Sequence, residues 1–234
     1  MGVTGIMMMG FVLVHMIGNL HMYEGPAKYN EYAEALRTVG GALMPREGVL
    51  WALRLGLLGA AALHIHSAAT LTIINRRSRP LAYQSPRDYS AANFASRTMR
   101  ATGIIVLLFV IFHLLDLTWG VFLGEDYITG DVYNNVTRSL SSLPIALLYL
   151  LANIALAVHL FHGAWSMFQS LGWNSPQFNQ ARRVFAAAFA GLILVGNLSF
   201  PILNLTGVVS QDSRTTPCVA EGGEETRICL GVNE

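Results

Sequence analysis

Five long apolar runs alternate with shorter polar stretches along this 234-residue chain, and each run is long enough to form a membrane-spanning helix. They cover about residues 2–22, 47–74, 99–123, 143–171 and 184–208. At a rise of about 1.5 Å per residue, each can cross a hydrocarbon layer of about 30 Å. The first run lacks the basic start and small-residue cleavage site of a secretory signal, so it reads as a retained helix. Tyr23 to Arg46 is polar; its Tyr29 to Leu36 portion predicts a short surface helix, stopped at Pro45. Gly124 to Arg138 reads as an acidic loop. The expected fold is all-α, an integral membrane five-helix bundle over 1–209, with a polar acidic tail over 210–234.

Composition agrees: 53% of residues are hydrophobic and 12% charged, against about 25% charged in a soluble domain. A net charge of +1 implies no basic surface for nucleic acid, so the lipid bilayer is the expected surroundings. Charge placement sets the orientation. The loop from Asn75 to Arg100 carries Arg76, Arg77, Arg79, Arg87, Arg97 and Arg100 against the single acid Asp88, and Arg182-Arg183 separates the last two runs. Glu125, Asp126 and Asp131, and the tail with Asp212, Glu221, Glu224, Glu225 and Glu234, lie in the alternate segments. The positive-inside rule then places the amino end in the cytoplasm and the carboxyl end outside. Trp119, Tyr127, Trp165 and Trp173 fall where interfacial aromatics are expected. Met7-Met8-Met9 reads as lipid-facing or packing filler, and Gly18-Asn19 as a place of close helix approach. The two cysteines, Cys218 and Cys229, both lie in the tail. If it faces outward, a disulfide between them is expected to contribute roughly 2 to 3 kcal/mol.

Candidate chemistry lies in four histidines, each deep within an apolar run: His15, His64, His113 and His159. A buried imidazole is costly unless it binds something. His15 lies about 8 residues before Tyr23 and His113 about 10 before Leu123, roughly 12 to 15 Å of helix in each case. Those two helices run outward, so His15 and His113 share a depth. His64 lies about 11 residues before Asn75 and His159 about 11 before Ser170. On helices running inward, these two share a level nearer the cytoplasm. Two facing imidazoles are the axial ligands of a low-spin haem b, whereas zinc or copper calls for three or four clustered donors. Two pairs therefore predict two haems b stacked across the membrane.

His66, two residues from His64, points to the other side of its helix and cannot share an iron with it. His162 lies on roughly the same face as His159 and nearer the cytoplasm, a candidate for a haem propionate or a quinone oxygen. Arg54 and Asp116 are charges inside spans at matching depth. Arg54 is expected to bond the outer haem's propionate or Asp116.

The stretches His15-Met16-Ile17-Gly18-Asn19-Leu20, His64 with Ala68, Arg79-Pro80 with Tyr83, Phe112-His113-Leu114-Leu115, His159-Leu160-Phe161-His162-Gly163 and Gln169-Ser170-Leu171-Gly172-Trp173 resemble the cytochrome b membrane anchor of bacterial succinate dehydrogenase. The resemblance runs nearly to the fifth helix and is specific in combination. It implies a multi-pass protein of the bacterial cytoplasmic membrane that holds two haems b. His64 and His159 would bind the proximal haem, and His15 and His113 the distal one. It also implies docking to a flavoprotein subunit and an iron–sulfur subunit, the latter against the basic loop, and leaves room for a higher oligomer of the complex. Succinate oxidation then belongs to the flavoprotein, and this chain is the quinone-reducing anchor, with menaquinone as the usual acceptor. The cysteine-containing tail is not part of that pattern.

For the quinone headgroup, the sequence offers His162, Ser166, Gln169, Ser67 and Thr70 near the cytoplasmic haem, and His21, Arg54, Asp116 and Trp119 near the outer one. The inner set is favoured because it is closest to the donor clusters and His162 can relay a proton. Alternative readings are the anchor of a quinol:fumarate reductase, a stand-alone di-haem cytochrome b, and a five-helix membrane protein without redox chemistry.

Overall fold

Apolar length decides the architecture. The computed structural model describes residues 1–78, 94–173, 175–212, 215–218 and 227–230. Helix α1 spans Gly2–Asn19 and continues in a 3₁₀ turn, Leu20–Glu24. Then come α2 (Pro26–Thr38), α3 (Gly48–Arg77), α4 (Phe94–His113), α5 (Val132–Ser141), α6 (Leu143–Ser170) and α7 (Asn179–Leu205). Among the described residues, helices α1, α3, α4, α6 and α7 are the five long and apolar enough to cross a membrane. In the tail, β1 (Thr215–Cys218) pairs antiparallel with β2 (Arg227–Leu230), setting Thr216 opposite Cys229 and Cys218 opposite Arg227. The centre of the basic loop, with Arg79, Pro80, Tyr83 and Arg87, and the side chains of Cys218 and Cys229 with their expected disulfide, lie outside the described residues.

The sequence-based boundaries shift for local reasons. Helix α4 starts at Phe94 rather than near 99, and its apolar run ends in a π-helical turn over Leu114–Thr118 rather than near 123. Gly120 and Gly124, with φ of 65° and 57°, supply the left-handed backbone that turns the chain there. Helix α7 starts at Asn179 rather than near 184, with Arg182 buried in its first turn. It donates to the Trp173 carbonyl at 2.5 Å, the Ser175 carbonyl at 3.4 Å and Asn179 Oδ1 at 3.2 Å, which tightens the α6–α7 connection. The stretch expected to be an acidic loop contains α5. Asp131 caps it by accepting from Asn134 N at 3.2 Å, and Tyr133 and Leu140 are buried.

Helices α6 and α7 pack together most extensively. Helix α1 lies on α3, α6 and α7, and α4 lies on α6. The first residues of α1 meet the end of α6: a β-carbon on Gly2 would touch Ser170 and Leu171 at 3.4 to 3.8 Å. That end of the bundle carries Arg76, Arg77, Arg97, Arg100, Arg182 and Arg183 and is called here the arginine end. The opposite, capped end is covered by α2 and α5 and holds much of the packed core, including Met22, Tyr29, Tyr133, Leu140, Phe200 and Val209. Large apolar side chains such as Leu53, Leu58, Leu108, Leu151 and Val195 point outward, as a lipid-facing belt requires.

Polar bonding holds the cap in place. Asp131 Oδ1 accepts from Asn30 on α2 at 3.0 Å and Oδ2 accepts from Asn134 Nδ2 at 2.7 Å. Asn134 Oδ1 accepts the Asp212 amide at 2.9 Å. Tyr133 donates to the Ser210 carbonyl at 3.0 Å, and burial together with the nearby Asp212 carboxylate pushes its phenol pKa up. Asp131→Ala removes the cap and leaves buried donors unpaired. It is expected to destabilise the protein by about 2 to 3 kcal/mol. A lower thermal midpoint, with faster amide exchange confined to α5 and the start of the tail, is the measurement that checks it.

Candidate functional site

Four histidines gather in two levels. At the level nearer the arginine end, His64 on α3 sits against the start of α1, its Nδ1 3.2 Å from Thr4 Oγ1. His159 on α6 sits against α4, its Nδ1 3.4 Å from Thr102 Oγ1. Glycine makes that second approach possible: a β-carbon on Gly103 would lie 3.2 Å from the His159 ring. At the level nearer the capped end, the rings of His15 on α1 and His113 on α4 meet edge to face, with centroids 5.9 Å apart. Phe11 stacks on His15 at 5.3 Å, and His113 Nδ1 lies 3.2 Å from the Tyr149 hydroxyl of α6.

The hydroxyls fix which nitrogen of each ring is free. Thr4 gives its proton to the Met1 carbonyl at 3.1 Å, and Thr102 gives its own to the Thr98 and Met99 carbonyls at 3.1 Å. Tyr149 donates to Asp116 Oδ2 at 2.9 Å. With the hydroxyl protons so placed, each oxygen accepts, and each histidine donates from Nδ1 and carries its lone pair on Nε2. His64, His113 and His159 therefore share one tautomer, the one that presents Nε2 to a metal while Nδ1 is held by a neighbouring helix.

The spacing of the levels follows from helix rise. Thr4 and His15 are eleven residues apart on α1, Thr102 and His113 eleven apart on α4, and Tyr149 and His159 ten apart on α6. Each interval is roughly 15 to 17 Å. Within a level, the paired histidines stand on helices that are not among the closely packed pairs, α1 with α4 and α3 with α6. Among the described residues no three metal-ligating side chains converge, so the histidines meet in twos. Two imidazoles bonded to opposite sides of one metal at about 2 Å would have ring centres roughly 6 Å apart. The 5.9 Å between His15 and His113 fits that arrangement.

Asp116 differs from expectation. It lies in the π turn, fully buried, and bonds Ser139 Oγ of α5 at 2.6 Å and Tyr149 rather than Arg54. Arg54 lies 5.0 Å over the Trp51 ring and 3.9 Å from Glu47. His21 pairs with Glu24 at 2.9 Å, His66 is exposed, and Trp119 is 63% exposed. At the arginine end, Ser67 donates to the Leu63 carbonyl at 2.7 Å, Ser166 to the Gly163 carbonyl at 3.3 Å, and Gln169 and Thr70 are exposed. His162 lies beside Trp165, rings 6.3 Å apart, with Arg183 5.2 Å over the indole. His162 Nδ1 and Trp165 Nε1 are buried without a hydrogen-bond partner.

Sequence reasoning treated Trp165 as an interfacial aromatic and did not single out Tyr149, Ser139, Thr4 or Thr102. A hydroxyl on a span is a signal of sorts, but which imidazole it meets depends on cross-helix register. In comparisons with known proteins, the model of the succinate dehydrogenase/fumarate reductase transmembrane subunit family matches residues 75–198, a stretch that contains His113 and His159. No curated protein and no solved structure matches the chain.

Proposed function

The chain belongs to the succinate dehydrogenase/fumarate reductase transmembrane subunit family, and from that premise we propose that it is the two-haem cytochrome b anchor of a bacterial succinate:quinone oxidoreductase. The observation that carries this reading is the seating of His64, His113 and His159, each with Nδ1 3.2 to 3.4 Å from a hydroxyl of a neighbouring helix. His64 with His159 would hold one haem and His15 with His113 the other. Bound there, the haems supply one-electron transfer between the partner's iron–sulfur clusters and the quinone.

The residues of the chain do the positioning. Thr4, Thr102 and Tyr149 orient the imidazoles; Gly103 lets His159 lie flush against α4. Arg54, free to swing from Glu47, is the proposed partner of an outer propionate. The arginine end, with Arg76, Arg77, Arg97 and Arg100, is assigned to the cytoplasm and to the iron–sulfur subunit, which in turn carries the flavoprotein. Both chain termini then fall as the positive-inside rule requires, amino end inside and carboxyl end outside, in the bacterial cytoplasmic membrane.

The quinone is assigned to the arginine end, with menaquinone as the acceptor. Toward the capped end His21 pairs with Glu24, and Asp116 Oδ2 accepts from Ser139 and Tyr149. His162 Nδ1 and Trp165 Nε1 are buried at the arginine end with bonding capacity to spare, Ser166 lies on the same helix, and the unpartnered Asp116 Oδ1 can only accept, as a quinone carbonyl does. A quinone carbonyl accepting from either recovers what burial costs these nitrogens.

Two measurements test the assignment. His64→Ala or His159→Ala should remove one haem, leaving the other, and His15→Ala or His113→Ala should do the reverse, read as haem-to-protein ratio and reduced-minus-oxidised spectrum of the purified complex. A His64→Ala protein retaining both haems would sink the pairing. For the quinone site, His162→Ala and Trp165→Phe should each lower succinate-driven quinone reduction about tenfold or more, the loss of one hydrogen bond worth ~1.4 kcal/mol or above, with haem content normal. His21→Ala should leave the rate unchanged. The opposite ranking would move the quinone to the capped end.

A further inference from the structure

The hydroxyls that hold the histidines are not equivalent. Thr4 and Thr102 pass their protons to neutral backbone carbonyls, whereas Tyr149 passes its proton to a carboxyl group. Asp116 Oδ2 accepts from Tyr149 at 2.9 Å and from Ser139 at 2.6 Å, its side chain is 0% exposed, and Oδ1 has no partner. Among the described ion pairs none involves Asp116. A buried carboxyl group without a cation is costly for a membrane helix to keep, and this one sits on a π turn that aims it at Tyr149.

We propose that Asp116 is a positioning residue that tunes the iron bound by His113, acting through the hydrogen-bond chain from Asp116 Oδ2 to the Tyr149 hydroxyl to His113 Nδ1. The inference rests on the haem ligation proposed above and assigns a role that ligation alone does not. A carboxylate can only accept, so it fixes the direction of the whole chain: Tyr149 donates to Asp116 and accepts from His113. Drawing the Nδ1 proton outward makes Nε2 a stronger donor to the metal. With Asp116 ionised, both that effect and its negative charge favour the ferric over the ferrous iron. The midpoint potential of the His15/His113 haem is thereby held down. The His64/His159 haem, backed by threonines, has no such anion in its chain.

The test is a potentiometric titration of both haems in the purified complex, with haem content and low-temperature electron paramagnetic resonance recorded for each variant. Asp116→Asn keeps an acceptor for Tyr149 and removes the charge. It should shift the ferric/ferrous ratio of the His15/His113 haem toward ferrous by about tenfold at a given ambient potential, a rise of about 59 mV for one electron, and leave the other haem where it was. Tyr149→Phe cuts the chain while keeping Asp116. It should move the same haem in the same direction and alter its ferric g-values, because His113 loses its Nδ1 partner. If Asp116→Asn fails to assemble, Tyr149→Phe decides alone. Unchanged potentials in the assembled variants, a fall instead of a rise, or equal shifts in both haems would overturn the role given to Asp116. A parent complex without bis-histidine haem would instead overturn the ligation reading on which it stands.

Discussion

An imidazole in a hydrocarbon surrounding has two nitrogens to satisfy and no water to do it, and much of this bundle is arranged around that requirement. One nitrogen of His64, His113 and His159 is met by a hydroxyl on a neighbouring helix. The choice of partner helix follows: α1 serves His64, α4 serves His159, and α6 serves His113. Each hydroxyl is in turn committed elsewhere, so the demand passes outward until a backbone carbonyl or Asp116 absorbs it.

The two ends of the bundle answer different needs. At the capped end, α2, α5 and the start of the tail are knitted by Asp131, Asn30, Asn134 and Tyr133, and the polar side chains there mostly find one another. At the arginine end, His162 and Trp165 retain unbonded nitrogens beneath Arg183. A polar group left unsatisfied within a membrane protein is tolerated where a ligand completes it.

The five spans were legible because membrane length and apolarity leave little freedom, and the two histidine levels were legible because depth can be counted along a helix of constant rise. What could not be counted was direction around the helix axis. Asp116 and Arg54 matched in depth, yet Asp116 turns to Ser139 and Tyr149 because the π turn rotates it toward α5 and α6. Helix α5 was missed because its polar residues suggested a loop; Asn134, Asn135, Thr137 and Ser139 are in fact buried, facing partners that sequence does not display. The start of α7 was set too late for a related reason: Arg182 donates to the carbonyls of the α6–α7 connection and to Asn179, which draws that turn into the helix. In each case depth came from the chain, and azimuth came from its neighbours.

The ladder of hydroxyls and histidines has a mechanical meaning as well. Both levels hang on the same helices, so their separation is a property of backbone hydrogen bonding and not of how tightly the bundle is squeezed. Between them, Asn197 of α7 donates to Asn153 of α6 at 2.9 Å, pinning the longest shared interface midway. A bilayer that thins, thickens or tilts the helices can change where the ladder sits without stretching its rungs. The protein thus carries its own ruler, and the distance an electron would travel between the two levels is written into the pitch of α6.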